Sequence, residues 1–147
     1  MVKKILMAID RSGYKEKRIT LTLSLAKALG AEVTAVHVID RSSIEPVADA
    51  YGNYMGVKIG PLEEVLRNQA EELLSEVEQL GKKEGVRVYK EVVVASPSAA
   101  IIDYAKNNKI DLITIGTKGM TGLKQFLLGS VANNVITHAH CPVVAIR

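Results

Sequence analysis

The feature that most constrains this chain is a regular change of period along its 147 residues. Short apolar runs of strand length are separated by segments whose apolar residues recur every three or four positions. Ile5 to Ile9 is the first run and stops at Asp10. Val33 to Ile39, Val86 to Ala95, Ile110 to Ile115 and Val143 to Ile146 are similar runs. Such runs suit strands buried on both faces, the condition of a parallel sheet. Between them, Pro61 is a favoured first helical residue. Leu62, Val65, Leu66, Ala70, Leu73, Leu74, Val77 and Leu80 then form one apolar helical face, stopping near Gly81 or Gly85. Ser96-Pro97 reads as cap and first residue of another helix, with Ile101, Ile102 and Ala105 inward. Ser130 to His140 is a shorter one, with Val131 and Val135 on one side.

One segment gives two signals. Ile19 to Leu25 alternates with period two, as a strand does. Ala26, Lys27, Ala28 and Leu29 favour a helix, and Gly30 is a good helix stop. Parallel strands also need a crossover of about a dozen residues or more. The segment is therefore assigned to a helix. The sequence then alternates strand and helix with five strands in all. It predicts a single α/β domain, an open five-stranded parallel sheet with helices on both faces. The long irregular stretch from Asp40 to Gly60 reads as a functional or mobile loop.

Composition excludes several partners. Hydrophobic residues make up 48% of the chain, enough for a core, and with one Phe and no Trp that core is aliphatic. The net charge of +3 has no block of like charges, and there are few aromatics for base stacking, so nucleic acid is not an expected partner. No apolar run approaches the ~18 residues of a membrane span. Asp10 and Arg11 end the first apolar run too early for a signal peptide. Cys141 is the single cysteine, which rules out an internal disulfide and fits a cytoplasmic location.

The chemistry concentrates between Gly116 and Ser130. The run Asp111 to Ile115 leads into Gly116, Gly119, Gly122 and Gly129-Ser130, and the next helix begins there. Glycine lets a backbone lie close against a ligand. The first turn of a helix offers free N–H groups and partial positive charge. Strand, glycine-rich segment and helix together make an anion site, most simply for phosphate, beyond the carboxyl ends of the strands. Ser130 at the helix cap offers a hydroxyl and an amide, and Lys118 and Lys124 add charge near outer phosphates. The Walker A string does not occur, and the first strand leads to Asp10-Arg11-Ser12-Gly13 rather than to Gly-x-Gly-x-x-Gly.

Gly116-x-x-Gly119, nine residues, then Gly129-Ser130 resembles the nucleotide signature of the ATP-binding branch of the universal stress protein family. Lys4 to Ser12, Gly30 to Val38, Asp111 to Thr117 and Cys141 to Ile146 resemble strands of that family. The resemblance implies a Rossmann-like sheet of order 3-2-1-4-5, with ATP, or AMP or ADP, across the ends of the first and fourth strands. It places Asp10 near adenine and ribose and the backbone of Val38 on adenine. It places Gly116, Gly119, Gly129, Ser130 and the Val131 amide on ribose and phosphates. Mg²⁺ would ride on the phosphates. A homodimer through the last strand is implied, and an apolar edge at Val143 to Ile146 gives it a physical motive. The sequence departs from the family at Arg11, where a small residue is frequent, and at Ala95, where glycine is. The expected function is a dimeric, nucleotide-dependent regulatory protein of the stress response with little or no hydrolysis. A partner-stimulated ATP hydrolase or phosphotransferase and a nucleotide-free interaction module are the alternatives. No base stands near Ser12 to make it a nucleophile, and no catalytic residue is assigned.

Other residues receive structural readings. His138, His140 and Cys141 are metal-ligating types, but they fall at a helix end, where histidine is electrostatically favoured. No metal is assigned. His37 reads as a core residue within a strand, and Asp111 as part of a turn. Tyr51 and Tyr54 are loop aromatics available to a nucleotide or a partner.

Overall fold

The computed structural model describes residues 1–10, 16–44, 60–117 and 128–147. Arg11, Ser12, Tyr51, Tyr54, Lys118, Gly119, Gly122 and Lys124 lie outside them. The elements are β1 (Lys4–Ala8), α1 (Glu16–Leu29), β2 (Glu32–Asp40), α2 (Gly60–Glu84), β3 (Val88–Ala95), α3 (Pro97–Asn107), β4 (Leu112–Gly116), α4 (Ser130–His138) and β5 (Val143–Ile146). A 3-10 turn at Arg41–Ser43 follows β2. All five strands are parallel and ordered β3-β2-β1-β4-β5. Among the described residues no helix is long and apolar enough to cross a membrane.

The alternation of side chains across each strand divides the core in two. Ile5 and Met7 of β1 pack with Val33, Ala35, Ile19, Leu23, Leu74 and Val77 on the α1–α2 face. Leu6, between them in sequence, packs with Val36, Ile113, Ile101, Ala105 and Val135 on the α3–α4 face. Burial on both faces is why these strands read as continuous apolar runs.

The ambiguous segment is helical, as assigned. Its buried residues, Ile19, Thr22, Leu23 and Ala26, follow helical spacing, whereas Leu21 is exposed. The apparent alternation arises because Leu21 lies off the buried stripe, while Leu25 packs at its edge, partly buried against the core.

Several boundaries differ from expectation. The long helix starts at Gly60 and passes through Gly81 to Glu84. Gly81 is not a stop. It is buried, and a Cβ there would run into the Val88 side chain and lie 3.0 Å from Val86 O, so it is a close-packing glycine. Gly85, with φ +72°, ends the helix. The third strand begins at Val88 rather than Val86, and the fourth runs from Leu112 to Gly116. The last helix stops at His138, with Ala139 extended. Ser96 caps α3 by backbone position without a side-chain bond.

Candidate functional site

The strands run in one direction, so their carboxyl ends share one rim. Beyond β1, β2 and β4 a cavity opens there, walled by Ile9, Val36, Val38, Pro97, Ile101, Ile115 and Ile146. Its polar wall comprises Asp10, Arg18, Thr22, Asp40, Thr114 and the backbone of Gly116 and Gly129. The rim between β1 and β4 is the point where strand order reverses, and such crevices hold ligands in open α/β sheets.

The two ends of the glycine-rich segment meet at this cavity. Thr117 N–H donates to Ile146 O at 3.0 Å, and Gly129 N–H donates to Thr117 O at 2.8 Å. The second bond pins the start of α4 against the end of β4. Gly129, not Ser130, is the N-cap, in an extended-type conformation, and Ser130 is the first helical residue. The reason is local: intrahelical bonding begins with Asn133 N–H to Gly129 O at 2.9 Å. The amides of Ser130, Val131 and Ala132 therefore have no acceptor within the helix. Gly129, Val131 and Ala132 line the cavity, while Ser130 is exposed on the rim.

Asp10 and Val38 stand on the cavity wall with Gly116, Gly129 and Val131, so residues distant in sequence share one cavity. Lys118 and Gly119 lie outside the described residues. Asp40 is also on the wall, but its Oδ1 accepts from Ser42 N at 3.0 Å and Ser42 Oγ at 2.7 Å, which fixes the turn after β2. His37 is buried, and its Nδ1 lies 2.8 Å from Ile9 O. A carbonyl can only accept, so Nδ1 carries the proton, and the ring ties β2 to the end of β1.

Sequence reasoning missed three residues here. Thr22 and Thr114 are buried below the cavity with their hydroxyl oxygens 3.1 Å apart. Thr22 Oγ1 is also 3.1 Å from Arg18 O. Thr22 has one proton to give, so with that proton on the carbonyl Thr114 donates to Thr22. Arg18 is the third, in the first turn of α1. Its guanidinium lies over Gly116, where an added Cβ would collide with Nη1 and stand 3.0 Å from Cζ. Its Nε is buried without a hydrogen-bond partner among the described residues. Nothing in the motif pointed to Arg18, because it belongs to a different element. The signal available was a cation on the first turn of the helix that follows β1.

The overall frame also matches known proteins. The model of the universal stress protein family matches residues 1–147. This chain belongs to the universal stress protein family. Universal stress protein MJ0531 of Methanocaldococcus jannaschii is 34% identical over 147 residues, covering 100% of this chain and 83% of its own. The solved structure of MJ0577 from the same organism superposes with a TM-score of 0.83 at 29% identity, over 99% of this chain and 96% of that one. A universal stress protein from Archaeoglobus fulgidus solved in complex with dAMP gives a TM-score of 0.67 at 26% identity, over 99% and 98% of the two chains.

The other end of this universal stress protein holds its remaining candidates. Asp111 accepts from Lys3 N and Lys4 N, each at 2.9 Å, which ties the start of β1 to β4. These two backbone bonds hold its carboxyl below the usual range. His138 Nδ1 lies 3.0 Å from Asn134 O one helical turn back. Burial, and then the nearby Asp111, push the Cys141 thiol up, so it stays protonated at neutral pH. Among the described residues no group of three or more His, Cys, Asp or Glu is placed to hold a metal.

Proposed function

We propose that the cavity on the carboxyl rim binds an adenine nucleotide, with ATP as the first choice and AMP or ADP as the alternatives. The observation that carries this reading is the junction of α4 with β4. Gly129, Val131 and Ala132, at the helix start held in place by the Gly129–Thr117 bond, line the same cavity as an apolar wall of strand ends, and the first-turn amides there have no acceptor within the helix. Amides at a helix N-terminus suit phosphate, and the apolar wall suits a flat base. The dAMP complex of the Archaeoglobus fulgidus relative lends the adenine class further support.

In this reading Asp10 faces ribose and adenine, and the Val38 backbone meets adenine. Gly116, Gly119, Gly129, Ser130 and Val131 hold ribose and phosphates, with Lys118 adding charge. Mg²⁺ arrives with the nucleotide and is carried by its phosphates. The protein acts as a regulatory, nucleotide-dependent stress protein in the cytoplasm and turns its ligand over slowly if at all. Two copies pair through β5. Among the described residues that strand is paired with β4 alone, and Val144 and Ala145 on it are exposed. An apolar edge of this kind is normally covered.

Calorimetric titration of nucleotide-stripped protein with ATP, ADP, AMP and adenosine tests the binding. Saturable binding of the nucleotides is expected, and no binding at millimolar ATP would overturn it. Turnover assays with and without cell extract separate slow intrinsic hydrolysis from a partner-stimulated hydrolase. Sedimentation giving only monomer at micromolar concentration would contradict the dimer.

A further inference from the structure

Arg18 lies outside the glycine motif, yet its guanidinium reaches the cavity end of β4. Gly116 has no side chain, and the guanidinium of Arg18 occupies the space directly over it. A ligand seated against Gly116 therefore has the guanidinium beside it. Three observations say what that guanidinium is suited to meet. Its Nε is buried and has no acceptor among the described residues. A buried N–H without an acceptor is costly and is rarely kept without a reason. Asp40, a carboxylate on the same wall, has its Oδ1 committed to Ser42. Arg18 also sits in the first turn of α1, where the partial positive charge of the helix opposes a cation. The unpartnered Nε and the opposed helix-end charge are both relieved by an anion in the cavity.

The support beneath Arg18 is rigid. Its carbonyl accepts from Thr22 Oγ1, and Thr22 is bonded in turn to Thr114 on β4. The base of the side chain is thus fixed to the strand whose end the guanidinium covers. A planar guanidinium with Nε and an Nη side by side matches two oxygens of a phosphate.

We infer that Arg18 is a phosphate-binding residue of this site, and that it makes the cavity discriminate phosphorylated ligands from their uncharged nucleosides. This rests on the adenine reading above. The glycine motif holds no such charge among the described residues, so the charge selectivity is assigned to α1, beside the contact at Gly116.

The test compares AMP with adenosine on wild-type protein, Arg18→Ala and Arg18→Lys by calorimetry, with inorganic pyrophosphate as a base-free probe. In Arg18→Ala the preference for AMP over adenosine falls about tenfold to a hundredfold, as expected for a lost charge-assisted bond. Arg18→Lys, which keeps the charge but not the fork, recovers part of it. A purely structural role would weaken both ligands alike and leave the preference unchanged, and that result overturns the inference. The Nε–H resonance of Arg18, assigned by its loss in Arg18→Lys, gives a second reading. It shifts with AMP and with pyrophosphate but little with adenosine. If wild-type protein binds neither AMP nor adenosine, the adenine reading fails on its own. The pyrophosphate titration then still decides Arg18: a shift supports its anion role, and an unmoved resonance overturns it.

Discussion

The two rims of the sheet are built by opposite rules. At the amino rim, α1, α2 and α3 each end in a left-handed residue, Gly30 at φ +66°, Gly85 at φ +72° and Lys109 at φ +54°. In each case the next amide reaches back five residues at 2.9 Å: Ala31 to Ala26, Val86 to Gly81, and Ile110 to Ala105. This is the Schellman closure, which satisfies carbonyls the helix leaves open. Asp111 then fastens β1 to β4 through two backbone amides. At the carboxyl rim, helix starts face a cavity. The first-turn amides of α4 lack intrahelical acceptors, and the Nε of Arg18 is unpartnered among the described residues. One rim spends its polar groups on the fold. The other holds some in reserve, which is the cost expected of a binding site on a stable scaffold.

This contrast predicts that substitutions at the amino rim change stability and leave binding alone, with the reverse at the carboxyl rim. The largest stability effect belongs to Gly81→Val. Its side chain collides with Val88 and approaches Val86 O, so denaturant titration should show a loss of about 1–3 kcal/mol from overpacking. Gly30→Ala and Gly85→Ala have open space around the new methyl group. They lose only the backbone term, about 1–2 kcal/mol each. Nucleotide affinity in the folded fraction should not move in any of the three.

At the carboxyl rim, Gly116→Ala meets only the movable end of Arg18. Its unfolding midpoint should stay close to wild type while calorimetric affinity for AMP falls about tenfold, roughly 1.4 kcal/mol. A large stability loss without an affinity change would break the comparison. Lys109→Gly should work in the opposite direction, gaining up to about 1 kcal/mol by relieving a non-glycine left-handed residue.

The smallest effect is tied to pH. The carboxyl of Asp111 is held low in the folded protein by the amides of Lys3 and Lys4. Its stabilisation is therefore present above the ordinary Asp value of about 3.9 and is lost as pH falls through the lower folded value. Asp111→Asn should be slightly less stable than wild type at neutral pH. The gap should close in acid, as read from denaturant midpoints across pH.

The sequence made one rim more legible than the other. Gly30 and the strand runs mark local geometry, and local geometry is written in consecutive residues. The glycine spacing from Gly116 to Gly129 likewise marked the β4–α4 junction. Gly81 and Gly85 looked equivalent in sequence, and only the packing of α2 on Val88 separates a filler of space from a helix stop. Ser130 looked like the cap because serine caps helices, but the bond from Asn133 to Gly129 sets the start one residue earlier. Arg18, Thr22 and Thr114 were invisible for a further reason. Their meaning lies in a contact between α1 and β4 across 92 residues of chain, and no local pattern records it.

The proposed adenine nucleotide site occupies the carboxyl rim alone. Amide chemical shifts followed during titration with AMP test it most directly. Perturbations are expected at Ile9, Asp10, Val38, Gly116, Gly129, Val131 and Ala132, with Gly30, Gly85 and Lys109 unmoved. Perturbations centred on the amino rim, or none at saturating nucleotide, would contradict it.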